Sequence, residues 1–210
     1  MSVIHELASS LNRRDEVPNQ ELAAKIASSK DMQGVKELIE NLQSNSKDIQ
    51  NDCIKVLYEI GALDPTLIAA YAQTFLDLLK HKNNRLQWGG MAALDNIVSE
   101  KPDFMYESVP SILDAVSRGS VITMDGAVNI FIKLCGIAKY ADHAFDVLLE
   151  VIRKAPVNQF PMYAERAMPI VTPPNKTRFV TILSSRLQEI EKESKRKRVE
   201  KVMQKLAKAG

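Results

Sequence analysis

Cysteine is scarce in this chain of 210 residues: only Cys53 and Cys135 occur, with no CxxC pair and no Cys/His spacing that suits zinc. A disulfide scaffold is excluded, and a reducing compartment is expected. No uncharged apolar run is long enough to span a bilayer. The opening stretch, MSVIHELASSLNRRDE, lacks the apolar centre of a secretory signal. The expectation is a soluble, cytoplasmic protein with no membrane span. Also missing are the phosphate-cradling patterns GxGxxG and GxxxxGK[ST], the nucleophile elbow GxSxG and the metal helix HExxH. The three histidines, His5, His81 and His143, stand far apart in sequence. No catalytic constellation, metal site or cofactor site is therefore expected, and the chain reads as a non-enzyme.

What the sequence has is helical periodicity. Apolar residues make up 45% and charged residues 26%, enough for a packed core and too few charges for a disordered chain. Strand alternation is nearly absent, and apolar residues recur at three- and four-residue steps. Asp31 is placed to cap a helix through Val35, Leu38 and Leu42, and Ser46 one through Ile49, Cys53, Leu57 and Ile60. Further helices are expected over Leu67–Leu79, Leu86–Val98, Met105–Val116, Ile122–Leu134, Ala144–Ile152 and Phe160–Met168. Breakers such as Lys101-Pro102-Asp103, Ala155-Pro156 and Pro173-Pro174 separate them by short gaps, as helical hairpins require.

The helices repeat. Anchors at Ile49, Leu86, Ile122 and Phe160 are 37, 36 and 38 residues apart. Four residues past each anchor stand Cys53, Gly90, Gly126 and Ala164, all small. Eight past stand Leu57, Leu94, Ile130 and Met168, all large and apolar; seven past stand Val56, Ala93, Asn129 and Ala167. These offsets share one helix face. A glycine inside a helix costs about 1 kcal/mol relative to alanine, so Gly90 and Gly126 are expected where a neighbouring helix comes close.

This second helix resembles that of a HEAT repeat, which reads Val-Arg-x-x-Ala-x-x-Ala-Leu. The nearest stretch is Leu86-Gln87-Trp88-Gly89-Gly90-Met91-Ala92-Ala93-Leu94. The family's arginine position holds Gln50, Gln87, Thr123 and Pro161 instead, so its buried polar ladder is expected to be missing. The resemblance implies an all-α, right-handed α-solenoid of about four hairpins (31–65, 66–101, 102–139 and 140–172). Residues 1–30 would form N-terminal capping helices, and 173–210 a basic amphipathic helical segment.

The resemblance also implies that the second helices line a concave face. Offsets two, six and nine oppose the core, and there the sequence places Tyr58, Trp88, Met124, Val128, Phe131 and Met162. An apolar stripe of this kind points to a protein or peptide partner. Formal charge is uneven. From Arg186 onward nine Lys/Arg against four Asp/Glu give +5, and the remainder carries −3. Within that segment Lys195, Arg196, Lys197, Arg198 and Lys201 are candidate anion contacts, and Val199, Val202, Met203 and Leu206 an apolar stripe that would seal the last repeat. A nucleic-acid-binding module using this helix is the alternative. Some HEAT-like proteins are DNA glycosylases, and Trp88 with Asp95 and Asp125 resembles their acidic-aromatic site. The concave offsets, however, supply only Lys55 and Arg166 as cations, few for tracking a phosphate backbone. Oligomeric state is left open.

Overall fold

The computed structural model describes residues 2–208 and is all-helical, with no strand among them. Twelve α-helices follow in order among those residues: α1 (Val17–Ser29), α2 (Met32–Asn41), α3 (Lys47–Leu63), α4 (Ala72–Leu78), α5 (Asn84–Asn96), α6 (Pro102–Glu107), α7 (Val109–Arg118), α8 (Val121–Cys135), α9 (Ala141–Lys154), α10 (Phe160–Ala167), α11 (Pro173–Arg186) and α12 (Glu193–Lys208). No helix among the described residues is long and apolar enough to cross a membrane. The chain forms two compact units, Met1–Ala127 and Val128–Gly210.

The helix starts follow the capping signals. Asp31 Oδ1 accepts the Gly34 amide at 2.9 Å, and Asn83 Oδ1 accepts that of Arg85 at 3.1 Å. The expected helix over 105–116 is two helices, broken at Ser108. Pro110 has no N–H to give the Tyr106 carbonyl, and it begins α7 instead. Over 67–79 the chain makes two single 3-10 turns, Pro65–Leu67 and Ala69–Tyr71, before α4.

In the first unit α3 packs against α1 on one side and α5 on the other, while α2 lies on α3 and α4 on α5. The small residues sit at these crossings. A methyl group at Gly90 would lie 2.9 Å from the Phe75 carbonyl oxygen, and one at Gly89 would run into Ile54. Cys53, Leu57, Leu86 and Leu94 are fully buried. The N-terminal segment is tied to this layer by a buried amide. Asn19 accepts the Ala8 amide at 2.9 Å and donates to Asp52 at 2.8 Å, while Asp52 also accepts the Ser9 amide at 2.8 Å.

In the second unit α10 packs against α12, and α11 against both α9 and α12. The stripe Val199, Val202 and Leu206 is buried. The last helix thus packs beside α11 and against α10.

One side-chain contact recurs at the helix starts. One residue past the anchor, Gln50 Nε2 donates to the Ser44 carbonyl at 2.8 Å, and Gln87 Nε2 to the His81 carbonyl at 2.5 Å. Both reach six residues back into the connecting loop. Arg196 does the same, its Nη2 2.8 Å and its Nε 3.1 Å from the Ile190 carbonyl. Arg196 stands 35 residues past Pro161. Pro161 cannot donate. The carbonyl six residues before it, Ala155, is bonded by Arg186 Nη1 from α11 at 2.7 Å. Thr123 is too short to reach residue 117, and its hydroxyl is buried without a partner. Side-chain amides and arginines thus tie four of these corners to a loop carbonyl, and the corner before Thr123 lacks such a tie.

Candidate functional site

Two residues assigned to the open face lie in the interior. Val128 and Phe131 are 0% exposed, so neither side chain is available to a partner. The helical wheel gave α8 one core face and one open face. Ala127, Ile130 and Leu134 are buried as well, so this helix is buried on more than one of its faces. Tyr58, Trp88, Met124 and Met162 are half-buried. The Tyr58 ring lies under Lys55, whose Nζ is 4.9 Å from its centroid. The Trp88 indole N–H donates to Ser120 Oγ at 2.8 Å.

Within the first unit, Trp88 lines a groove of about 1150 Å³ at the N-terminal ends of α1, α3 and α5. Its walls come from three places. The segment before α1 supplies Arg13, Arg14, Asp15 and Glu16. The first three turns of α3 supply Lys47, Asp48, Asn51, Asp52 and Lys55. The stretch leading into α5 supplies Lys82, Asn83, Asn84 and Arg85. Asn83 donates to Asn51 Oδ1 at 2.8 Å and so joins the α5 wall to the α3 wall.

Six cations and four carboxylates line this groove, but many of the charges are committed. Arg13 grips Asp15 through two hydrogen bonds of 2.9 and 2.8 Å, which holds that carboxyl below its ordinary range. Lys55 pairs with Glu59 at 2.7 Å and Glu16 at 2.9 Å. Burial works against the Lys55 charge, but hydrogen bonds to Glu59, Tyr58 and Glu16 outweigh it and hold the ammonium above the usual lysine value. Asp52 is satisfied by Ser9 and Asn19. Arg14, Lys47, Lys82 and Arg85 are exposed, with no ion pair among the described residues. Of the four acids, Asp48 alone has neither an ion pair nor the amide partners of Asp52. The open charge of the groove is therefore positive. Sequence reasoning missed these four cations because it searched the helix offsets facing away from the core; they stand in loops and first turns.

The basic stretch of α12 is largely occupied by the chain itself. Arg198 holds Glu165 by two hydrogen bonds of 2.8 and 2.6 Å, which draws that carboxyl below its ordinary value. Lys195 donates to Asn158 Oδ1 at 2.8 Å, Lys197 pairs with Glu193 at 2.7 Å, and Arg196 ties the Ile190 carbonyl. Lys201, the fifth of the candidates, is exposed.

No histidine or cysteine lines the groove, and among the described residues no group of three or more His, Cys, Asp or Glu could hold a metal ion. Burial pushes the thiols of Cys53 and Cys135 up to about 12, which leaves both protonated and weakly nucleophilic at neutral pH. The groove offers exposed cations, side-chain amides and one indole.

The sequence matches no protein-family model and no curated protein. The structure is similar to the crystal structure of an engineered protein from the Northeast Structural Genomics Consortium, with a TM-score of 0.55 at 17% identity, covering 100% of this chain and 98% of that one. At that identity the likeness concerns the fold alone.

Proposed function

We propose that this chain is a non-catalytic, cytoplasmic binding module, a right-handed α-solenoid of HEAT-like hairpins, which holds a protein or peptide partner. The partner lies in the groove at the N-terminal ends of α1, α3 and α5. The observation that carries this reading is the groove itself, which crosses three helices packed in a row. Stacked hairpins characteristically bind along such a surface, because consecutive second helices present aligned side chains. At about 1150 Å³ the groove exceeds the roughly 300–1,000 Å³ of a small-molecule pocket. Trp88 on its wall is of the residue type that most often anchors interfaces.

Trp88 is the sole tryptophan in the chain, so its emission reports directly on the groove. The test is capture of partners from the native cell by the intact chain and by Trp88→Glu, with folding checked by circular dichroism. Partners held by the first and lost by the second, and a Trp88 emission change when a purified partner is added, are the expected results. Unchanged capture by a folded Trp88→Glu would refute the reading.

The alternative, nucleic acid bound through α12, draws on its exposed Lys201, Lys205 and Lys208. The internal bonds of Lys195, Arg196 and Arg198 count against it. A steep fall of DNA affinity with salt would favour it.

A further inference from the structure

We infer that the segment held in the groove is an acidic stretch of polypeptide, recognised by Arg14, Lys47, Lys82 and Arg85. This rests on the reading of the groove as a partner-binding surface and names the chemistry of the partner. Arg14 lies just before α1, Lys47 opens α3, and Lys82 and Arg85 flank the start of α5, so the cations follow the groove across three successive helices. The helices add to the field. The N-terminal ends of α1, α3 and α5 all face the groove, and each carries partial positive charge from its unbonded amides.

The remaining lining discriminates between two polyanions. A nucleic-acid backbone presents a phosphate at every step and favours an unbroken cationic track. Here Asp48 follows Lys47 directly in the chain, and Asp48, Asp15, Glu16 and Asp52 share the walls with the cations. A regularly charged backbone would be forced against some of them. A polypeptide can place its carboxylates opposite the four free cations and neutral residues opposite the acids. Asn84 and Asn51 offer amides that can both donate to and accept from a peptide backbone.

The test uses the full chain and a fluorescein-labelled twelve-residue peptide rich in Glu and Asp, with Lys-rich and neutral peptides of the same length beside it. A single-stranded oligonucleotide and a duplex complete the set. Binding is read by fluorescence anisotropy and by Trp88 emission across a sodium chloride series. The acidic peptide is expected to bind, to weaken as salt screens the exposed charges, and to lose about tenfold or more in affinity in Arg14→Glu/Lys47→Glu/Arg85→Glu. These residues are exposed, so folding should survive. Lys36→Glu/Lys154→Glu/Lys192→Glu, which changes net charge equally elsewhere, should retain the affinity. Equal loss in both triple variants overturns the inference, as does tighter binding of an oligonucleotide that the groove variant abolishes. If the acidic peptide fails to bind while cellular partners are still lost on Trp88→Glu, the groove reading stands and the acidic assignment falls. If neither is seen, both fall.

Discussion

Arg196 donates to the carbonyl of Ile190, with its Nη2 at 2.8 Å, and thereby closes the corner that leads into α12. Gln50 and Gln87 close two earlier corners by the same six-residue step. A hydrogen bond from a charged donor is worth about 1.5–3 kcal/mol. Arg196→Ala should therefore lower stability by about 1–2 kcal/mol, read as a drop in the urea midpoint. Arg196→Gln should retain most of it, since glutamine already does this work twice. Equal loss in both variants would show that the guanidinium acts through something other than this carbonyl.

Thr123 is the complementary case. Its hydroxyl is buried and unpartnered, and an unsatisfied buried polar group costs about 1–3 kcal/mol. Thr123→Val keeps the shape and removes the hydroxyl, so it should leave the urea midpoint unchanged or raise it. A fall of more than about 1 kcal/mol would mean that the hydroxyl is bonded in solution.

Gly90 shows why a helix carries a residue that weakens it. Alanine would gain about 1 kcal/mol of helix propensity, but its methyl would lie 2.9 Å from the Phe75 carbonyl oxygen and 3.0 Å from Leu78 Cβ. Overpacking of this kind costs about 1–3 kcal/mol. Because backbone is the obstacle, Gly90→Ala should destabilise by about 1 kcal/mol net. A stabilised Gly90→Ala in thermal unfolding would mean that α4 and α5 can separate without loss.

The pair Arg198–Glu165 makes part of the stability acid-sensitive. Arg198 lowers the folded-state pKa of Glu165 below its ordinary 4.5. A depressed carboxylate contributes stability above the unfolded-state value and loses it as pH falls through the folded-state value. Both side chains are about two-fifths exposed, 43% and 40%, so the contribution is at most about 1 kcal/mol. Urea midpoints of the parent and Glu165→Gln should differ at pH 7 and converge towards pH 3. A constant difference would assign the effect to packing.

Much of the helix order was legible in the sequence, because apolar spacing and capping residues act locally. Asp31 and Ser46 cap as their positions imply, and Gly90 lies where a neighbour comes close. What escaped was set by more distant neighbours or hidden by charge. Pro110 divided a helix whose apolar rhythm continues through it. Val128 and Phe131 look open on a helical wheel, but the wheel knows one core face and α8 is buried on more. The seat of α12 was legible: Val199, Val202 and Leu206, at helical spacing, are its buried stripe. Its charge misled only in part, since Lys195, Arg196, Lys197 and Arg198 were candidate anion contacts and are held by the chain's own groups. Arg14, Lys47, Lys82 and Arg85 belong to no periodic pattern, and only folding gathers them along one groove.

The six-residue ties also bear on how the molecule assembles. Loops this short close in tens of nanoseconds, and helices form on the microsecond scale. The corners closed by Gln50, Gln87 and Arg196 can therefore be fastened before any distant part of the chain has found its place. Collapse then becomes a matter of pre-bent pieces docking on their neighbours. Such wiring belongs with low contact order and rapid folding, and it leaves two corners without a local fastening: that of Thr123, and that of Pro161, which waits for Arg186 to arrive from α11.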